Sequence, residues 1–126
     1  MRRLTLATVI LSGMVALAAT PALAEADPAK GERVFKKCAI CHVLEGNKKK
    51  PGPSLASIFG RQAGTFDGFR FSKAMKESGI TWTPESLDEF LFNPRKHVAG
   101  TKMAFPGLKK AQDREDLIAF LLKATQ

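Results

Sequence analysis

The sequence predicts an all-α domain of short helices joined by long loops, and three observations carry that expectation. Apolar residues recur at helical spacing in several segments. Helix start signals stand directly in front of two of them: Asp27-Pro28 and Thr83-Pro84. Between them lie stretches rich in glycine and proline, and no convincing pair of alternating strands is present. Loops of that length in a small domain usually carry function.

In chain order, Asp27 or Pro28 opens a helix to about Ala39, with Val34 and Phe35 on its apolar side. Gly46–Pro53 reads as loop. Leu55–Phe59 is expected to form a short helical turn, and Gly60–Phe69 is loop again. Ser72–Ser78 fits a short helix closed by Gly79. Thr83 is a good N-cap, Pro84 suits the first helical position, and Glu85 suits the first-turn dipole. Leu87, Phe90 and Leu91 form that helix's stripe, and Pro94 is expected to end it. The last helix is predicted from Gln112 or Asp113 to Lys123. Leu117, Ile118, Phe120, Leu121 and Leu122 form a wide buried face, with Asp113, Glu115 and Asp116 near its N-terminal end.

Residues 1–24 read as a leader outside this domain. Met1-Arg2-Arg3 is basic, Leu4–Ala19 is almost wholly apolar, and Ala22-Leu23-Ala24 has the small-x-small form that a signal peptidase cuts. A membrane anchor would need a longer apolar run than this one. The expectation is a secretory signal peptide removed after Ala24, and a periplasmic protein. Removing 24 of 126 residues leaves 102, Glu25–Gln126, which is one domain. So short a chain buries a limited core and gains from a staple. Losing Arg2 and Arg3 leaves 18 basic against 12 acidic residues, a charge of +6. That balance suits an acidic partner or an anionic membrane face. Nucleic acid is not expected, since no nucleic-acid motif is present and the chain reads as exported.

Cys38-Ala39-Ile40-Cys41-His42 is C-x-x-C-H, the pattern for covalent haem attachment. Two thiols about one helical turn apart can each join one vinyl group, and the next residue places an imidazole at the iron. A thioredoxin-like dithiol would want a βαβ pattern, which is missing. A zinc site would draw on only His42 and His97, whose spacing fits no zinc-finger pattern. A simple disulfide would close too short a loop to stabilise much. For the second axial ligand, Met75 sits in a short helix and reads as core. Met103 sits in the loop Gly100–Gly107 and serves no apolar stripe, so it is the expected ligand; His97 and Lys102 are the alternatives. A Met/His pair gives a high reduction potential.

With these residues in place, the chain resembles a class I c-type cytochrome, of the mitochondrial cytochrome c type and its periplasmic bacterial relatives. The resemblance runs from Gly31-Glu32-Arg33-Val34-Phe35-Lys36-Lys37-Cys38 to Asp116-Leu117-Ile118-Ala119-Phe120-Leu121. It includes Gly52-Pro53-Ser54-Leu55, Gly60-Arg61, Gly79-Ile80-Thr81-Trp82, Asn93-Pro94 and Gly100-Thr101-Lys102-Met103. It implies the class I cytochrome c fold wrapped around one covalent haem c. It implies thioethers at Cys38 and Cys41, with iron ligation by His42 and Met103. Pro53 would accept from His42, Arg61 and Trp82 would bond near a haem propionate, and Thr101 would bond in the same inner region. Gly31 and Phe35 would meet Phe120 where the first and last helices cross.

The chain departs from the family at several points. It contains no tyrosine, and Phe71, Phe90 and Phe120 stand where the family usually has one. Met75 stands where an asparagine is common. The expected consequence is a drier haem pocket with fewer hydrogen bonds, and a shifted potential.

The implied function is outer-sphere electron transfer in a respiratory chain, not catalysis, because both axial positions are filled. Lys36, Lys37, Lys48, Lys49, Lys50, Lys73, Arg95, Lys96, Lys102, Lys109 and Lys110 would steer a monomer. Its partners would be acidic docking surfaces of membrane respiratory complexes or soluble periplasmic reductases, with peripheral membrane contact. Two other readings stand beside this one. A labile Met103 bond would make a haem peroxidase or gas sensor, and absence of haem would leave a thiol–disulfide protein.

Overall fold

The computed structural model describes residues 24–126, and the leader expected over residues 1–24 lies outside them except for Ala24. Among the described residues there are five α-helices and no strand, only an isolated antiparallel bridge between Gln62 and Thr81. No helix among them is long and apolar enough to cross a membrane.

Helix α1 (Pro28–Phe35) starts where Asp27 accepts from the N–H groups of Ala29 and Lys30. Past Phe35 the chain continues in single turns through His42 rather than as regular helix to Ala39. Bonds from Cys38 and Ala39 to the Phe35 carbonyl, and from Cys41 and His42 to the Cys38 carbonyl, hold these turns. The Leu55–Phe59 segment makes a single turn bond, Ile58 to Leu55, and no helix.

Helix α2 (Lys73–Lys76) is shorter than expected, with Ser72 as its N-cap. Helix α3 (Pro84–Phe92) begins at the predicted cap: Thr83 and Ser86 exchange side-chain-to-backbone bonds in a capping box. Pro94 ends α3 and also opens α4 (Pro94–His97), where Asn93 accepts from the Lys96 N–H. Helix α5 (Ala111–Ala124) covers the predicted last helix.

Helix α1 lies across α5, and α3 packs on both α5 and α4. The α1–α5 crossing is close because of Gly31. A Cβ there would run into the Asp116 carbonyl and come within 2.8 Å of the Phe120 Cβ. Phe35 and Phe120 pack beside it with ring centroids 5.6 Å apart. Asp116 ties the crossing from the other side: its carboxylate, 2 % exposed, accepts from the Asp27 N–H at 2.8 Å and from Gln112 at 3.0 Å. The Asp27 N–H bond is the main cause holding the Asp116 carboxyl below its ordinary range. Leu117, Ile118 and Leu121 are buried as expected, whereas Leu122 is exposed on the outer face of α5.

Candidate functional site

The loops and helices enclose an apolar-walled cavity of about 260 Å³. All eight residues singled out from the sequence line it: Cys38, Cys41, His42, Pro53, Arg61, Trp82, Thr101 and Met103. The core helices contribute Phe35, Leu87, Phe90, Leu91, Leu117 and Leu121. A core hollowed from within explains why so many apolar side chains of α3 and α5 face one space.

The turn after α1 carries both cysteines and His42 into this wall. His42 Nδ1–H donates to the Pro53 carbonyl at 2.6 Å. That bond assigns the proton to Nδ1 and leaves the Nε2 lone pair for a metal. Burial holds the His42 pKa below its ordinary value, against the opposing pull of the Pro53 bond, so the imidazole is neutral near pH 7. Gly52 makes room for the ring: a Cβ there would lie 2.6 Å from His42 Cε1 and 2.9 Å from Nδ1. Burial also pushes the Cys38 thiol up to about 11. A thiol held protonated in this way is a weaker nucleophile than a free one.

Arg61 is fixed by two carbonyls, Ala56 at 2.9 Å and Ser54 at 3.0 Å, with Phe66 under its guanidinium. Trp82, 7 % exposed, stacks edge-on against Phe90 at 5.0 Å. Thr101 Oγ1 accepts from the Met103 N–H at 3.3 Å. Lys102 also lines the cavity but is exposed, and its Nζ donates to the Arg70 carbonyl. His97 is exposed on α4 and is not part of the wall. Among the tyrosine replacements, Phe71 and Phe90 line the cavity, as does Met75, while Phe120 sits at the helix crossing instead.

Sequence reasoning missed three contributors. Gly52 was noted only as part of a matching piece, although two neighbouring prolines and a histidine ten residues away hinted at a tight approach. Lys50 was grouped with Lys48 and Lys49, yet its Nζ donates to the Ala39 carbonyl inside the C-x-x-C turn. Arg114, 9 % exposed, bonds Asp88 at 2.7 Å and the carbonyls of Leu108 and Lys109, closing the loop that carries Met103. No local signal marks that role.

An all-helical fold around an apolar cavity, with C-x-x-C-H in its wall, defines a c-type cytochrome. The comparisons with known proteins agree. The family model described as Cytochrome c matches residues 28–125. A cytochrome c of Chlamydomonas reinhardtii is 54 % identical over 101 residues, spanning 79 % of this chain and 90 % of the relative. One from Stellaria longipes is 50 % identical over 104 residues, 81 % of this chain and 96 % of the relative. The cytochrome c type-1 of Ascaris suum is 47 % identical over 102 residues, 80 % and 91 % of the two chains. The chain belongs to the cytochrome c family, whose members carry electrons with one covalent haem c.

The donor set present fits that group: two thiols at the attachment spacing, a neutral imidazole with a free lone pair, and a cradle that only a glycine keeps open.

The periplasmic destination expected from residues 1–24 is corrected by these relatives. They come from an alga, a plant and a nematode, and their kind works in the mitochondrial intermembrane space, not in a bacterial periplasm behind a secretory signal. A basic start and an apolar run resemble an export address, but hydropathy does not specify which membrane reads it.

Proposed function

We propose that the protein is a single-electron shuttle, not an enzyme, whose haem iron is ligated by His42 and Met103. The observation that carries the reading is that one cavity wall holds a neutral imidazole, with Nδ1 already committed to Pro53, and a thioether in a loop. When bound, the haem supplies an iron that takes up and releases one electron. Cys38 and Cys41 would hold it by thioethers and His42 would give its Nε2 lone pair, with Pro53 fixing that tautomer. Met103 would supply a second, soft ligand to that iron, which would favour the ferrous state. The apolar residues of α3 and α5 exclude water from the pocket. Arg61 is engaged by carbonyls and His97 is exposed, so neither is free to assist peroxide cleavage.

Docking rests on the attachment turn. Ile40, between the two cysteines, is 74 % exposed, and Lys36 and Lys37 beside it are exposed as well. An apolar contact ringed by cations suits acidic docking surfaces of membrane respiratory complexes or of a soluble reductase. The test mixes ferrous holoprotein with a membrane respiratory oxidase at rising salt. Oxidation should be fast at low salt and fall steeply as charges are screened. Salt-independent oxidation would remove the docking surface, and sustained peroxide turnover would replace the shuttle with a peroxidase.

A further inference from the structure

Residues 50–55 run back along residues 39–43, and four cross-links join the two segments in register. The Gly52 N–H donates to the Cys41 carbonyl at 2.9 Å, and the Leu55 N–H to the Val43 carbonyl at 2.9 Å. His42 Nδ1–H donates to Pro53 at 2.6 Å. The fourth is the bond from Lys50 Nζ to Ala39. Two of these use backbone donors that most residues supply, and one belongs to the histidine itself. The last depends on the Lys50 side chain alone. Its neighbours Lys48 and Lys49 are exposed, whereas Lys50 is half-buried. Three consecutive lysines that look alike in the sequence are therefore not equivalent.

We propose that Lys50 is a positioning residue for the attachment turn and that its ammonium, held against that turn, biases the iron toward the ferrous state. The inference rests on the haem reading above. Ferric iron carries one more positive charge than ferrous iron, so a fixed cation nearby disfavours it. A half-buried ammonium held to a carbonyl keeps its distance, and solvent screens it less than a free surface lysine.

The experiment is a spectroelectrochemical titration of covalently loaded protein: wild type, Lys50→Gln, Lys50→Met, Lys50→Arg and Lys49→Gln. Both neutral variants of Lys50 should shift the equilibrium about threefold toward ferric iron, roughly 30 mV at 59 mV per tenfold. Lys50→Arg should stay near wild type, since it keeps the charge and a donor. Lys49→Gln should move far less, although it removes the same formal charge. Having two neutral variants guards against either one failing to accumulate. A wild-type potential in both Lys50→Gln and Lys50→Met would overturn the proposal. So would a shift in Lys49→Gln as large as in Lys50→Gln, because position would then not matter. Failure of the wild-type chain to take up haem would instead defeat the reading beneath it.

Discussion

The two segments of the cavity that carry His42 and Met103, the proposed iron ligands, are held in different ways. The His42 side is cross-linked residue by residue, through Lys50, Gly52, Pro53 and Leu55. The Met103 side is a span anchored mainly at its ends. Thr101 bonds Val98 at one end, and Leu108 bonds Leu91 at the other, where Arg114 also holds the Leu108 carbonyl. Between these, Met103 has one long bond to Thr101 at 3.3 Å, and Lys102 reaches out to Arg70. Phe90, which stands where the resemblance implies a tyrosine, lines the same cavity with no hydroxyl to offer. One proposed ligand is thus built into the backbone register, while the other sits in a suspended loop that its bond to iron would have to hold.

The largest expected contrast breaks each side in turn. His42→Ala should abolish accumulation of correctly ligated holoprotein. Met103→Ala should still yield covalent haem, with only the second axial position changed. Absorption spectra and acid extraction of the two variants distinguish these results, and equal losses would erase the asymmetry.

Next come two packing tests. Gly52→Ala forces a Cβ against the His42 ring and should cost about 1–3 kcal/mol in urea unfolding. Arg114→Met frees the Asp88 carboxylate and two loop carbonyls, at a cost of about 2 kcal/mol. Their spectra should differ more than their stabilities. The glycine variant should disturb the His42 side, and the arginine variant should weaken the methionine–iron band.

A smaller effect comes from the helix crossing beneath both sides. The Asp116 carboxyl is held below its ordinary range, chiefly by the Asp27 N–H. A depressed carboxyl pKa adds stability above the unfolded value near 4 and loses it as pH falls through the folded value. Asp116→Asn should therefore melt a few degrees lower than wild type at pH 7, and the gap should close in acid. A gap independent of pH would show that the charge contributes nothing.

The smallest expected effect is Phe90→Tyr, which adds a hydroxyl on the Met103 side. It should shift the potential by a few tens of millivolts, roughly 1 kcal/mol for a one-electron couple. An unchanged potential would remove the argument from pocket dryness.

What the sequence made legible was what it encodes locally. Thr83-Pro84 starts a helix because a cap needs only the next three residues. The C-x-x-C-H turn is read directly because its chemistry spans five positions. Pro94 was read as a stop alone, since a four-residue helix leaves no periodicity to detect. Leu122 fits the apolar pattern of α5 but faces outward, because pattern does not say where the partner helix ends. Asp116 reads in the sequence only as a charge near a helix start and Arg114 is not singled out, because their partners stand 89 and 26 residues away. Charged residues on a terminal helix read as surface until the fold brings those partners in. The expected location failed for a different reason: the composition of residues 1–24 reports hydrophobicity, and location is not a property of hydrophobicity.

The most direct test of the account is the absorption spectrum of the oxidised and reduced holoprotein as pH is raised, with acid extraction at each end. The account predicts covalent haem throughout, with a methionine–iron charge-transfer band at neutral pH that disappears in alkali. His42 ligation should persist when that band is gone. Covalent haem without the band at any pH would contradict ligation by Met103, and a protein that holds no haem would contradict the account as a whole.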